Sequence, residues 1–435
     1  MKISLFQVIL LCVFGFGALV GLFVFATYSG SGSGGSTAVG TVVIWGTLPK
    51  EGIQTMLTIA AQTEASLKDV SYVQKDPATL LNDLSAAIAT GAAPDLVLAS
   101  QEDLHTLAKF LTPIPSSTLP ASAFTSTFIE EGNLFAAADG YYGIPFLVDP
   151  LVLFANRTIL SSDGIAKPPA TWEALTGLVP NISVLTPTRQ VTRGLIALGT
   201  YDNVHNARGI LSALFLQANV PLSYYSSNSS ELVADLGRSA SGGTPPGKAV
   251  VSFYTQFADT SKVSYTWNDS LQDSEQKFLA GDLALYLGYA SEARYFAAAN
   301  PNLNFVVAPL PQRATATTKS TYGLVYSFMI PHGAKNTAGA YQAAVLLTNS
   351  AEQIDAASAT GLAPATLNQL AIAPADPIAS VAYAEALYAK GWLSPTPADT
   401  DTIFSSMINN VVTGRLNLDM ALGSAEQSLS SLLQQ

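Results

Sequence analysis

The sequence predicts an α/β protein of two compact units, preceded by one N-terminal transmembrane helix. Three observations lead there. Its 435 residues exceed what a single hydrophobic core usually serves. Short apolar, β-branched runs alternate with helix-periodic stretches. One stretch alone, Ile3 to Ala26, is long and apolar enough to cross a bilayer, and it carries no charge.

That first stretch comes first in order. At 1.5 Å per residue it reaches roughly 36 Å, enough for a hydrocarbon core with some tilt. Lys2 precedes it and the next charge is Lys50, so the positive-inside rule leaves the N-terminus cytoplasmic and sends the remainder across. The expectation is an anchor over residues 3–27. A cleaved signal peptide ending near Val24-Phe25-Ala26 and a lipoprotein built on Cys12 stay open as alternatives. Residues 28–40, dominated by Ser and Gly, form a flexible leash of about 17–21 Å.

Thr41–Trp45 reads as a strand buried on both faces. Leu80, Leu81, Leu84 and Ile88 recur at helical spacing, and Gly91 is placed to end that helix. Leu96–Ala99 is a second buried strand, giving a βαβ unit. Thr171 caps a helix with Glu173 in its first turn. Leu271, Glu275 and Phe278 lie on a helix ended by Gly281, and Leu283–Leu287 follows as a strand. Ser350 and Gln353 have capping-box spacing ahead of a helix that stops at Gly361.

Composition narrows function. With 49% hydrophobic and 12% charged residues the chain is not disordered as a whole. A net charge of −11 with scattered Lys and Arg disfavours nucleic acid and anionic membrane surfaces. Cys12, the single cysteine, rules out an intrachain disulfide. No P-loop, GxGxxG, HExxH or GxSxG motif occurs, and His105, His205 and His332 stand far apart in sequence. Glu102-Asp103 and Glu130-Glu131 are adjacent acids, expected to be solvated, and Tyr224-Tyr225 reads as a loop pair. No catalytic residue, metal site or cofactor is expected.

Several phrases share an order known from one family. Asp139-Gly-Tyr-Tyr-Gly-Ile-Pro145 running to Asn156, Pro168-Pro-Ala-Thr-Trp-Glu173, Phe278-Leu-Ala-Gly-Asp-Leu-Ala-Leu285, Ala308-Pro-Leu-Pro311, Tyr322-Gly-Leu and Gly361-Leu-Ala-Pro364 resemble the extracellular solute-binding proteins related to maltose-binding protein. The resemblance covers about Thr41 to Leu432. It implies a periplasmic-binding-protein-like fold: two α/β lobes joined by hinge crossings and closing on a solute. Lobe one would hold 41–147 plus 306–347, and lobe two 150–303 plus 350–435. Crossings would fall near Leu147–Asp149, Asn304–Val306 and Thr348–Ser350.

Ligands in open α/β sheets bind at the carboxyl ends of strands. That rule selects Trp45, Gly46 and Thr47 after the first strand, and Ser100 and Gln101 after the second; both groups match family ligand positions. The resemblance adds Asp149, at a position where relatives set an acid on a sugar hydroxyl, and Arg193 and Asp401 from lobe two. It also adds Tyr289 and Ser291, where relatives carry a tryptophan. Trp45 packing under its sheet and Asp149 accepting backbone hydrogen bonds are the plain structural readings.

The implied function is capture of a small solute, foremost a carbohydrate, by a membrane-tethered extracytoplasmic monomer that delivers it to an ABC permease. A sensing receptor and an extracellular glycoside hydrolase are the rival readings. Removal of residues 1–40 is expected to leave binding intact while impairing delivery.

Overall fold

A computed structural model describes residues 39–226, 231–238 and 244–435. The expected anchor at 3–27 and the leash up to residue 38 lie outside the described residues. Among the described residues no helix is long and apolar enough to cross a membrane.

The chain opens with β1 (Val42–Gly46), α1 (Lys50–Thr63) and β2 (Val70–Gln74). α1 buries Ile53, Met56, Leu57 and Ala60 at i, i+3, i+4 and i+7, the stripe an amphipathic helix needs. α2 (Leu80–Ala89) follows, with Gly91 in the left-handed region (φ 69°) where a side chain would be strained. β3 (Leu96–Ser100) is buried throughout and runs directly into α3 (Gln101–Leu107). β1 lies between β2 and β3, parallel to both.

β4 (Gly143–Asn156) is the spine of the molecule: all 14 residues are buried. The longer elements after it are α4 (Trp172–Gly177), β5 (Val191–Ile196), α5 (Ala207–Gln217), α6 (Pro246–Thr255) and α7 (Ser274–Ala280). Then come β6 (Leu283–Tyr289), α8 (Glu292–Ala299), β7 (Phe305–Ala308) and β8 (Thr321–Met329). Among the helices that follow are α9 (Ser350–Thr360), α10 (Pro377–Ala386), α11 (Pro397–Val412) and α12 (Leu418–Leu433).

The main sheet runs β2-β1-β3-β8-β4-β6-β5. β4 changes partners between Pro150 and Leu151: its first part pairs with β8 and its second with β6 and β7. Two lobes therefore share one strand. Each has its own core. Phe146 and Phe328 meet at 4.7 Å in the first lobe. In the second, Phe154 lies 5.1 to 6.2 Å from Phe296, Phe305, Tyr286 and Phe278, separations at which tilted aromatic pairs attract beyond their area burial.

Two expected crossings need correction. At 304–306 the chain does not change lobes, because β7 pairs with Leu153–Asn156 and Phe305 fills the second aromatic core. Gln312 still bridges to Thr171, and the change comes along β8, whose Gly323 and Leu324 face Pro150 and Asp149. At 348–350 the chain stays in lobe one: α9 packs on α1, and Ala363 and Pro364 pair with Val148 and Leu147. The return to lobe two follows α10, since α11 and α12 pack against α5 and α6. The helix start is also one residue earlier than the sequence spacing suggested. Asn349 takes the cap position, while the buried Gln353 donates to Phe146 O (2.9 Å) and accepts from Thr366 Oγ1 (2.7 Å).

Candidate functional site

The carboxyl ends of β1 and β3 in one lobe, and of β5 and β6 in the other, converge on the middle of β4 and β8. Ser291, just past β6, donates its backbone N–H (3.1 Å) and its hydroxyl (2.5 Å) to Asp149 of β4. Gln101, just past β3, donates to Gly323 O (2.9 Å) and accepts from Val325 N (2.7 Å) on β8.

Arg208 stands at the centre, in the first turn of α5. Its Nε and one Nη make a two-pronged bond to Glu102 of α3 at 3.1 and 3.0 Å. Its other Nη reaches Asp401 of α11 and the Pro397 carbonyl. Tyr322 of β8 donates to Glu102, and Tyr201 donates to Asp401 at 2.6 Å. Glu102 is buried. Burial opposes the charge on Arg208, but the two carboxylates outweigh it and hold its pKa well above the ordinary value. One network thus ties α3 of lobe one to α5 and α11 of lobe two.

Around it stand groups left for a ligand. The phenol of Tyr289 lies within electrostatic reach of Glu102, Arg208, Asp149 and Tyr326. Tyr326 is within reach of Asp149, Glu102, Asp103 and Tyr72. Neither hydroxyl has a hydrogen-bond partner among the described residues, and burial raises both pKa values, so both stay protonated donors. Burial, reinforced by Glu102, pushes the Asp103 carboxyl up to about 7; burial does the same for Asp149, against the pull of Ser291.

The structure brings together most of the residues selected from sequence and gives several of them other duties. Trp45 is half-buried at the end of β1, with Lys75 Nζ 3.8 Å from its ring centroid. Gly46 is required: a Cβ there would meet the Tyr72 ring at 2.7 Å and Leu98 O at 2.8 Å. Thr47 donates its N–H to Leu98 O (3.2 Å). Ser100 caps α3 by accepting from Glu102 N (3.3 Å), and Gln101 is turned wholly inward. Asp149, Tyr289, Ser291 and Asp401 line the convergence just described. Arg193 does not: it lies in β5 ahead of the strand's carboxyl end, bound to Ile182 O (3.0 Å) and Asp163 (3.4 Å).

Sequence reasoning missed Glu102, Asp103, Arg208, Tyr322 and Tyr326. The strand-end rule pointed to the first two, which directly follow Ser100-Gln101; adjacency led to a reading of solvated charge. Glu102 is instead buried, and so is Glu131. Tyr224 and Tyr225, both exposed, pair as a short strand with Leu232 and Val233.

A cavity of about 770 Å³ lies elsewhere, in lobe two, lined by Trp172, Leu214, Pro246, Val250 and Phe253. The amide of Gln217 in its wall is fully engaged, accepting from Trp172 Nε1 (2.7 Å) and donating to the carbonyls of Pro311 and Ser320. Its wall is mostly apolar, with Glu173, Thr176, Gln256 and Arg313 among the polar groups at its edge.

A family model described as bacterial extracellular solute-binding protein matches residues 60–385. Among solved structures, an ABC transporter solute-binding protein from Thermotoga lettingae bound with alpha-D-tagatose is 18% identical. The match covers 90% of this chain and 99% of that one, with a TM-score of 0.67. The cyclic alpha-maltosyl-1,6-maltose binding protein of Arthrobacter globiformis is 17% identical over 91% and 99%, with a TM-score of 0.71. The Thermus thermophilus maltotriose binding protein bound with maltotriose is 16% identical over 90% and 99%, with a TM-score of 0.64. At such identities the likeness is one of fold. None of the curated proteins matches.

Proposed function

This chain belongs to the bacterial extracellular solute-binding protein family, and we propose that it captures a small carbohydrate between its two lobes for delivery to an ABC permease. One observation carries the ligand class. The free hydroxyls of Tyr289 and Tyr326 stand beside the carboxyls of Asp149 and Asp103, where two lobes meet. Phenol faces cover the apolar faces of a sugar ring, while phenol donors and carboxyl acceptors replace the water on its hydroxyls. The sugar complexes among the similar folds support the same class.

Binding requires no covalent step. The solute stabilises the closed arrangement of the lobes by its differential affinity for it. We place the folded part outside the cell membrane, held by the apolar segment at 3–27 and working as a monomer. A short leash confines its search to nearby permeases.

The test is a thermal-shift screen of the full-length chain in a detergent without a sugar head group, against tagatose, maltose, maltotriose and mannobiose. A specific sugar should raise Tm progressively with its concentration. If no sugar moves Tm while another class of solute does, the carbohydrate reading is lost.

A further inference from the structure

Arg208 is the guanidinium of the cleft, and its hydrogen-bonding edges are already occupied. Glu102, from lobe one, takes Nε and one Nη, and Asp401, from lobe two, takes the other Nη. Two other cations beside the strand ends are committed as well. Lys75 pairs with Asp83 at 3.0 Å and covers Trp45. Arg294 donates to the carbonyls of Ala359 and Ser358 at the end of α9. Three carboxyl groups therefore act on one guanidinium, those of Glu102, Asp103 and Asp401, and Asp149 lies within electrostatic reach of Tyr289 and Tyr326 beside it.

We propose that Arg208 is a specificity-determining residue: neutralised from both lobes at once, it leaves the cleft open to uncharged sugars and closed to acidic ones. An anionic solute has two routes in. It either sits unpaired beside Glu102, Asp103 and Asp149, or it takes Arg208 from Glu102 and strands that carboxylate where it is buried. Both routes place an uncompensated charge in a poorly solvated site. An uncharged sugar meets neither penalty, and its hydroxyls donate to the same carboxyls. This selectivity, obtained by repulsion as much as by attraction, rests on the carbohydrate reading above.

The experiment pairs neutral and acidic probes on the full-length chain: glucose with glucuronate, galactose with galacturonate, and sodium phosphate with sodium chloride at equal ionic strength. The wild type should bind at least one neutral sugar about 100-fold more tightly than its uronate, and phosphate should not raise its Tm above chloride. Asp401→Asn, at the more exposed carboxylate, and the double variant Glu102→Gln/Asp401→Asn free the guanidinium. Each should bind uronate about tenfold more tightly than wild type does and become stabilised by phosphate, and adding Arg208→Gln should abolish both gains. Near-UV circular dichroism identifies any variant that has lost its fold. Equal or tighter binding of uronate by the wild type overturns the proposal. So does stabilisation of the wild type by phosphate, or no gain in a folded Asp401→Asn. If no sugar binds at all, the carbohydrate reading fails, while the phosphate arm still decides what Arg208 does.

Discussion

Among the described residues, Glu131 holds both carboxyl oxygens buried and without a hydrogen-bond partner. A Cβ on Gly323 would meet one oxygen at 2.9 Å, and a Cβ on Gly391 would meet the other at 2.6 Å. Those two glycines lie where the chain passes between lobes, so this acid sits against the hinge. Burial pushes its pKa up to about 8. The unfolded chain would titrate it near 4.3. A pKa raised on folding contributes stability that is complete below the unfolded value and lost as pH rises through the folded one. The stability of the wild type should therefore fall between pH 5 and pH 8, and Glu131→Gln should flatten that fall. At about 1.4 kcal/mol per pKa unit the difference amounts to several kcal/mol at pH 8. Urea midpoints at pH 5, 6.5 and 8 measure it; parallel curves for the two proteins would show that Glu131 does not drive the slope. Nothing in the sequence distinguished this acid from its neighbour, because Glu130-Glu131 differ only in which way a tight helical turn points them. The same limit hid Glu102. Sequence position located the strand end, but the direction of each side chain depended on partners in a distant lobe.

At the scale of elements more was legible, because the signals are local. Thr171 caps α4 by accepting from Ala174 N (3.2 Å), and Gly281 and Gly361 end α7 and α9 in left-handed geometry at φ 82° and 83°. These depend on a few bonded neighbours. The helix α9 starts at Ser350 after the cap residue Asn349, and Gln353 is engaged by Phe146 O and Thr366 Oγ1, the first of them far away in sequence. The first turn of α5 carries the most functional weight, since it delivers Arg208 and Gly209 together. Gly209 is there for the sake of Tyr289: a Cβ would meet the Tyr289 hydroxyl at 2.6 Å and the Tyr322 ring at 3.4 Å. In an ordinary helix Gly→Ala gains about 1 kcal/mol. Here that gain is set against displacement of the free phenol. Gly209→Ala should weaken binding of the best sugar from the screen about tenfold, one lost ligand hydrogen bond, while Tm stays within about 4 °C of wild type. Calorimetric titration and thermal melts on the same protein separate the two effects. Unchanged affinity would remove Tyr289 from the binding surface.

For the molecule as a whole, the two-lobed α/β plan was visible in the order of family phrases, whereas the crossings were not. Two of the three were set too early, because a strand such as Phe305–Ala308 carries no mark of which lobe will pair with it; Phe154, far away in sequence, settles that. The boundary of the folded part shows the same dependence. It was expected at Thr41, where the apolar strand begins. Yet Val39 is buried, its carbonyl accepts from Asn336 Nδ2 at 2.8 Å, and the same amide reaches Thr41 O at 3.2 Å. Asn336 in turn donates its backbone N–H to Asp95, which also accepts from Val43 N (both 3.0 Å), so Val39 closes one end of the first sheet. A fragment beginning at 41 exposes the cavity Val39 filled and frees that bond. It should be less stable than one beginning at 39 by about 2–3 kcal/mol, from burial of one valine and one net hydrogen bond. The loss arises at the amino end of β1, whereas the cleft lies at its carboxyl end, past Gly46. Both fragments should therefore bind the same sugar with the same Kd, measured well below the melting range of the weaker one. A difference in Kd at that temperature would mean that strain at the amino end of β1 reaches the cleft, and that the sheet transmits what its two ends would otherwise keep apart.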